Sequence, residues 1–152
     1  MTQWKGLLIE IEKIEGAYGR SLRDPASDTE IIKMNHTIQK KLGNIIIPDP
    51  YIGFLKEVNG LDFNGLVMYG VDEDLLEKEI DEEIHGFIET NELWYENEWQ
   101  KQYLFLGDSD TAWYCYAPKE NEYVELDNPS GTLIQSFKSF DAMLSDALET
   151  II

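Results

Sequence analysis

The chain has 152 residues, with 30 Asp and Glu against 12 Lys and Arg, for a net charge of −18. That balance excludes direct nucleic-acid binding and attraction to anionic membranes, because both rest on many cationic contacts to phosphates. A hydrophobic fraction of 43%, with 12% aromatic residues, supplies one packed interior, so residues 1–152 read as a single domain; the lone Cys115 excludes an internal disulfide or a multi-thiolate metal site.

Trp4, Leu7, Leu8, Ile11 and Ile14 recur at spacings of three and four, which predicts a helix with one buried stripe ending near Gly16. Its apolar run Gly6 to Ile9 stops at Glu10 and Glu12, short of a secretory core, and no other run approaches a membrane span. The expectation is a soluble, cytoplasmic chain. A polar loop follows to Ser27, which with Glu30 makes a capping-box pattern for a second helix through about Leu42, where Gly43 can supply a left-handed stop. Asp49 as cap and Pro50 as first helical residue then predict a short third helix, with Tyr51, Phe54, Leu55 and Val58 on its apolar face.

Leu66 to Tyr69, flanked by Gly65 and Gly70, reads as a short buried strand. Asp72 to Glu83 carries Leu75, Leu76 and Ile80 at helix-like spacing, and Glu89 to Gln100 reads as a helix carrying Leu93, Trp94 and Trp99. The last third changes period. Tyr103–Leu106, Ala112–Tyr116, Tyr123–Leu126 and Thr132–Phe137 are β-rich runs separated by turn residues, and Phe140, Met143, Leu144, Ala147 and Leu148 return to helical spacing. This order predicts an α+β fold: a central, mainly antiparallel sheet with N-terminal helices and a closing C-terminal helix.

Catalytic patterns are sparse. Only His36 and His85 could act as imidazole bases, and Ser109 in Gly107-Asp108-Ser109-Asp110 reads as a hairpin turn without a nucleophile elbow. Glu82 and His85 form one Glu-x-x-His step with no second copy, neither acidic triplet completes a calcium loop, and no phosphate-binding glycine pattern occurs. Cys115 sits in an apolar strand run, as a structural thiol does. No cofactor or metal is expected. With thirty acids, carboxylate pairs at glycosidase-like separations arise by chance, so a hydrolase is the weakest reading.

The charge itself is the informative feature. Residues 51–100 hold 14 acids and 2 bases, giving −12, while residues 1–50 balance at 7 and 7. Asp72, Glu73, Asp74, Glu77, Glu79, Asp81, Glu82 and Glu83 are opposed only by Lys78, a field suited to a basic partner or, equally, to a solvated face. Trp94, Tyr95, Glu96 and Glu98 lie close by in sequence, and aromatic anchors ringed by charge suit a protein interface. The candidate partner-binding set is therefore Asp72, Glu73, Asp74, Glu77, Asp81, Glu82, Glu83, Trp94, Tyr95, Glu96 and Glu98.

Ile47-Pro48-Asp49-Pro50-Tyr51-Ile52-Gly53-Phe54-Leu55, followed by Val58-Asn59-Gly60, resembles the signature of the SUKH superfamily of yeast cell-wall-assembly regulators and bacterial immunity proteins. Asp62 to Gly70 looks like its bacterial branch, and Leu106-Gly107-Asp108-Ser109, Trp113-Tyr114 and Ser136 to Leu144 are also similar to it. One departure is Asp110-Thr111-Ala112, where many relatives have a glycine. The resemblance implies a non-catalytic α+β domain whose bacterial members neutralise a cognate protein toxin, often a nuclease. It implies only fold-defining roles for Pro48, Tyr51, Phe54, Leu55, Asn59 and Gly60. The alternative is a regulatory or scaffolding module that recognises another cellular protein, and self-association into a homodimer stays open.

Overall fold

In the computed structural model, which describes residues 3–78 and 84–152, the first periodic stretch forms α1 (Gln3–Ala17) and buries Trp4, Leu8 and Ile11. α2 (Asp28–Lys41) starts where the sequence requires. Ser27 Oγ accepts from Glu30 N and Glu30 Oε1 accepts from Ser27 N, completing the capping box, while Gly43 follows at φ +98°. α3 (Asp49–Leu55) begins one residue earlier than expected: Pro48 is the cap, Asp49 already lies in the helix and no side chain caps it. Tyr51, Phe54, Leu55 and Val58 are all buried, as their spacing predicts.

Six antiparallel strands follow one another across the sheet in chain order. They are β1 (Leu61–Phe63), β2 (Leu66–Met68), β3 (Leu104–Asp108), β4 (Ala112–Ala117), β5 (Glu122–Asp127) and β6 (Leu133–Phe137). β1 was not anticipated, although its cause is visible in the chain: Asn64 and Gly65 both take positive φ, 50° and 87°, and close a two-residue hairpin between Phe63 and Leu66. Two helical readings need correction. Among its described residues, 72–78, the acidic stretch after Val71 makes a 3-10 turn at Glu73–Leu75, with Leu76 extended beyond it; positions 79–83 lie outside the described residues. Glu89 to Gln100 is not one helix but the end of α4 (Phe87–Trp94) and, after a break at Tyr95–Asn97, a 3-10 segment Glu98–Gln102 with its own Asn97–Gln100 capping box.

Strand pairing decides which residues share a face. Tyr116 pairs with Tyr123, their rings 4.9 Å apart, and Trp113 lies three residues from Tyr116, so the two point to opposite sides of the sheet. On the tyrosine side, α5 (Phe140–Ile151) packs Phe140 against Tyr123, Tyr51 and Phe54, and Trp4 from α1 meets Phe54 at 5.6 Å. On the tryptophan side, Trp94, Tyr95 and Trp99 cover Phe105 and Trp113. Each fully buried large side chain contributes about 1.5–3 kcal/mol of burial free energy, so both faces are anchored. Among the described residues, no helix is long and apolar enough to cross a membrane.

The signature residues turn out to be structural. Tyr51 is fully buried and its hydroxyl donates to Tyr69 O at 2.5 Å, joining α3 to the residue that follows β2. Asn59 Oδ1 accepts from Val71 N at 2.7 Å. Gly60 takes φ +85° with Met68 O only 2.9 Å from where a Cβ would stand, so no other residue fits there without strain.

Candidate partner-binding surface

Two buried carboxylates build the surface, and neither is free to bind anything. Glu30 reaches out of its capping box so that Oε2 accepts from Glu77 N at 2.9 Å, tying the acidic stretch to the start of α2. Burial pushes its carboxyl pKa up, but the hydrogen bonds from Ser27 and Glu77 outweigh that and leave it below the ordinary value. Asp72 plays the same part for α4. Its Oδ1 accepts from Ile88 N and its Oδ2 from Glu89 N, both at 2.9 Å, closing the exposed N–H groups of a helix whose own cap position is Gly86. A Cβ on Gly86 would lie 2.3 Å from that carboxylate. Burial dominates at Asp72 and raises its pKa against the opposing backbone hydrogen bonds.

These struts leave a groove of about 860 Å³ between the C-terminal half of α2, the 3-10 turn and α4. Its walls carry the carboxylates of Asp72, Glu73, Asp74, Glu77, Glu89 and Glu92 against the ammonium groups of Lys41 and Lys78, over an apolar floor that includes Leu75, Leu76 and Ile88. Glu73, Asp74, Glu77, Glu89 and Glu92 are exposed, whereas Asp72 is 6% exposed. Outside the groove lining, on the outer side of α4, Leu93 is 63% exposed and follows Glu92 in the chain, with Glu96 exposed just past the helix end. An apolar side chain ringed by carboxylates suits a partner surface that is cationic around a hydrophobic contact.

The residues singled out from sequence therefore separate. Glu73, Asp74 and Glu77 share the groove, and Asp72 is consumed in holding it. Asp81, Glu82 and Glu83 lie outside the described residues. Trp94 is half-buried, its Nε1 donating to Tyr69 Oη at 2.9 Å, and Tyr69 in turn donates to Asp108. The Tyr95 hydroxyl donates to Tyr103 O at 2.6 Å, so both aromatics face the core layer more than the surface. Glu96 is open, and Glu98 pairs with Lys101 at 3.0 Å.

Glu89, Glu92 and Leu93 were passed over. Their signal was available: Phe87, Ile88, Asn91 and Trp94 define the inward side of α4, and these three complete the outward one. Asn91 fixes which side that is. Fully buried, it donates from Nδ2 to Phe87 O and Phe105 O and accepts Phe105 N on Oδ1 at 2.8 Å, bolting α4 to β3 beside the register shift between Phe105 and Gly107.

The nucleophile candidates are occupied structurally. Ser109 sits in the β3–β4 turn, its N–H donating to Ala112 O at 2.8 Å. Cys115 is fully buried, and desolvation pushes its thiol pKa well above the ordinary range, so it is held as an unreactive thiol. Among the described residues, no group of three or more His, Cys, Asp or Glu side chains could hold a metal ion.

A family model described as the SMI1 / KNR4 family (SUKH-1) matches residues 25–146, the greater part of the chain. No curated protein matches it.

Proposed function

We propose that this chain, which belongs to the SMI1 / KNR4 (SUKH-1) family, is a cytoplasmic immunity protein that binds and neutralises a cognate toxin without catalysis, the toxin being a basic nuclease domain. The observation that carries this reading is the acidic groove between α2 and α4, with Leu93 exposed on α4 outside the groove lining. A nuclease holds phosphates in a cationic cleft, so a surface of exposed carboxylates near an apolar contact can occupy that cleft or its margin. The −18 charge steers the encounter, and the groove supplies the place where it ends.

The test has two arms. Co-expression with the toxin domain encoded beside this gene should restore growth, and the two chains should co-purify. In the purified pair, the substitutions Glu73→Gln, Asp74→Asn, Glu77→Gln, Glu89→Gln and Glu92→Gln together should slow association by about tenfold or more at low salt and flatten its salt dependence. Loss of both rescue and co-purification overturns the immunity reading. Rescue with association indifferent to salt and to these substitutions overturns the groove as the binding surface.

A further inference from the structure

We infer that Asn64, at the tip of the β1–β2 hairpin, is a spontaneous deamidation site whose conversion to aspartate or isoaspartate unfastens the last turn of α5. Two Asn-Gly pairs occur in the chain, Asn59-Gly60 and Asn64-Gly65. In each, the glycine leaves its backbone nitrogen unshielded by a side chain, so that nitrogen can attack the preceding amide, and asparagine is thermolabile where this happens. The fold treats the two pairs differently. Asn59 is 4% exposed, its Oδ1 accepts from Val71 N, and a Cβ on Gly60 would run into Met68 O and Gly70 N. Asn64 and Gly65 are both exposed, and nothing stands within 4 Å of where a Gly65 Cβ would lie. Both line an open cleft of about 370 Å³ that water can enter.

The turn leaves the attacking atom free. In a two-residue hairpin the ladder bonds join the flanking pair, here Phe63 and Leu66, and the Gly65 N–H takes no part in them. Asn64 holds φ +50° in the closed turn, so ring closure requires it to leave the left-handed region. A hairpin of three residue pairs at the edge of the sheet can open at its tip to allow this. Gly65 N then bonds to Asn64 Cγ, the Cγ–Nδ2 bond breaks, and Nδ2 leaves as ammonia with the proton given up by Gly65 N. Water opens the resulting succinimide, giving aspartate if the bond from Gly65 N to Cγ breaks and isoaspartate if the bond to the Asn64 carbonyl carbon breaks. The atom lost is the one that donates to Ile151 O, at 2.8 Å. A carboxylate oxygen in its place sets acceptor against acceptor, and the tether from the hairpin to α5 is gone. The groove between α2 and α4 shares no lining residue with this cleft, so the site can be tested without a partner.

The purified full chain, aged at mildly alkaline pH and followed by peptide mass spectrometry with isoaspartate labelling, should accumulate product at Asn64 and none at Asn59. In urea both should convert. Hydrogen exchange in the last turn of α5 should quicken by about two- to tenfold in the converted fraction and in Asn64→Asp, as the loss of one hydrogen bond requires. Asn64→Gly, which keeps the left-handed turn, should end isoaspartate formation in the folded chain. An Asn64 that stays intact in the folded protein while both sites convert in urea overturns the proposal, as does equal conversion of Asn59 and Asn64 in the folded protein or isoaspartate that persists in folded Asn64→Gly. Conversion with unchanged exchange in α5 overturns the release of its last turn. Should Asn64→Gly fail to fold, the comparison of Asn64 with Asn59 in the parent chain decides.

Discussion

Replacing Asp72 with alanine asks whether the first acid of the stretch belongs to the fold or to the interface. The substitution leaves Ile88 N–H and Glu89 N–H without acceptors at the start of α4. Loss of a helix cap costs about 0.5–2 kcal/mol, and a hydrogen bond to a charged group contributes about 1.5–3, so two such bonds set an upper bound near 6 kcal/mol. Burial opposes that gain, which is why the Asp72 pKa is raised in spite of the bonds. The net cost should accordingly lie at about 2–3 kcal/mol. Urea unfolding should record a midpoint lower by roughly 1–2 M at an unchanged slope. A cost below about 0.5 kcal/mol, the ordinary range for a surface position, refutes the assignment of Asp72 as a strut.

The same group makes a signed pH prediction. Its folded pKa is above the ordinary value of 3.8, so the stabilisation it gives is complete below that value and declines as pH rises through the folded one. Against Asp72→Asn, which does not titrate, the parent protein should therefore lose ground as pH rises from about 4 toward neutrality. A parent that gains on the Asn variant over that interval contradicts the reasoning.

Other consequences follow from the way α4 is mounted. Asn91→Leu keeps the volume but leaves the Phe105 N–H and carbonyl without their side-chain partner in the interior, a loss of roughly 2–4 kcal/mol readable by the same urea titration; a loss under about 1 kcal/mol means the helix is held by packing alone. Leu93→Ala should leave stability within about 0.5 kcal/mol while raising the dissociation rate from the toxin by about tenfold, as measured by surface plasmon resonance. An unchanged off-rate removes the outer side of α4 from the interface.

Local chemistry was legible in the chain, and remote pairing was not. Ser27 and Glu30 stand three residues apart and satisfy one another, so the start of α2 can be read without knowing anything else. The β-rich runs of the last third show their period directly, and their short turns force neighbours to pair. Asp72 binds N–H groups 16 and 17 residues away, and Asn91 binds Phe105 from 14 residues away, so each looks in sequence like one more polar residue on a solvated stretch. Trp94 misleads for a related reason. Its acidic neighbours suggest exposure, yet Tyr69 and Asp108 give its indole N–H a place in the core layer. At Leu75 and Leu76 the hydrophobic spacing was outweighed by the bond from Glu77 N to Glu30, which holds the start of the acidic stretch against α2.

Net charge alone gives a poor account of recognition, since the fold divides the carboxylates into those it uses and those it leaves open. Glu30 and Asp72 are spent on backbone N–H groups, and Glu15, Glu57, Asp28 and Glu98 each sit with a Lys or Arg. The acids of the groove have less opposition, and their setting is lopsided. Residues 31–48 contain no acid, and α2 gives the groove wall Lys41 where α4 gives Glu89 and Glu92. On the proposed reading, a cationic partner would be drawn toward α4 and turned away from Lys41 on α2, so that repulsion as well as attraction would set its orientation. Exchange of Lys41 for an acid would deepen the field and lose that directional cue, so tight binding and correct seating are separable demands on this surface. On the proposed reading, Lys41 answers the second of them.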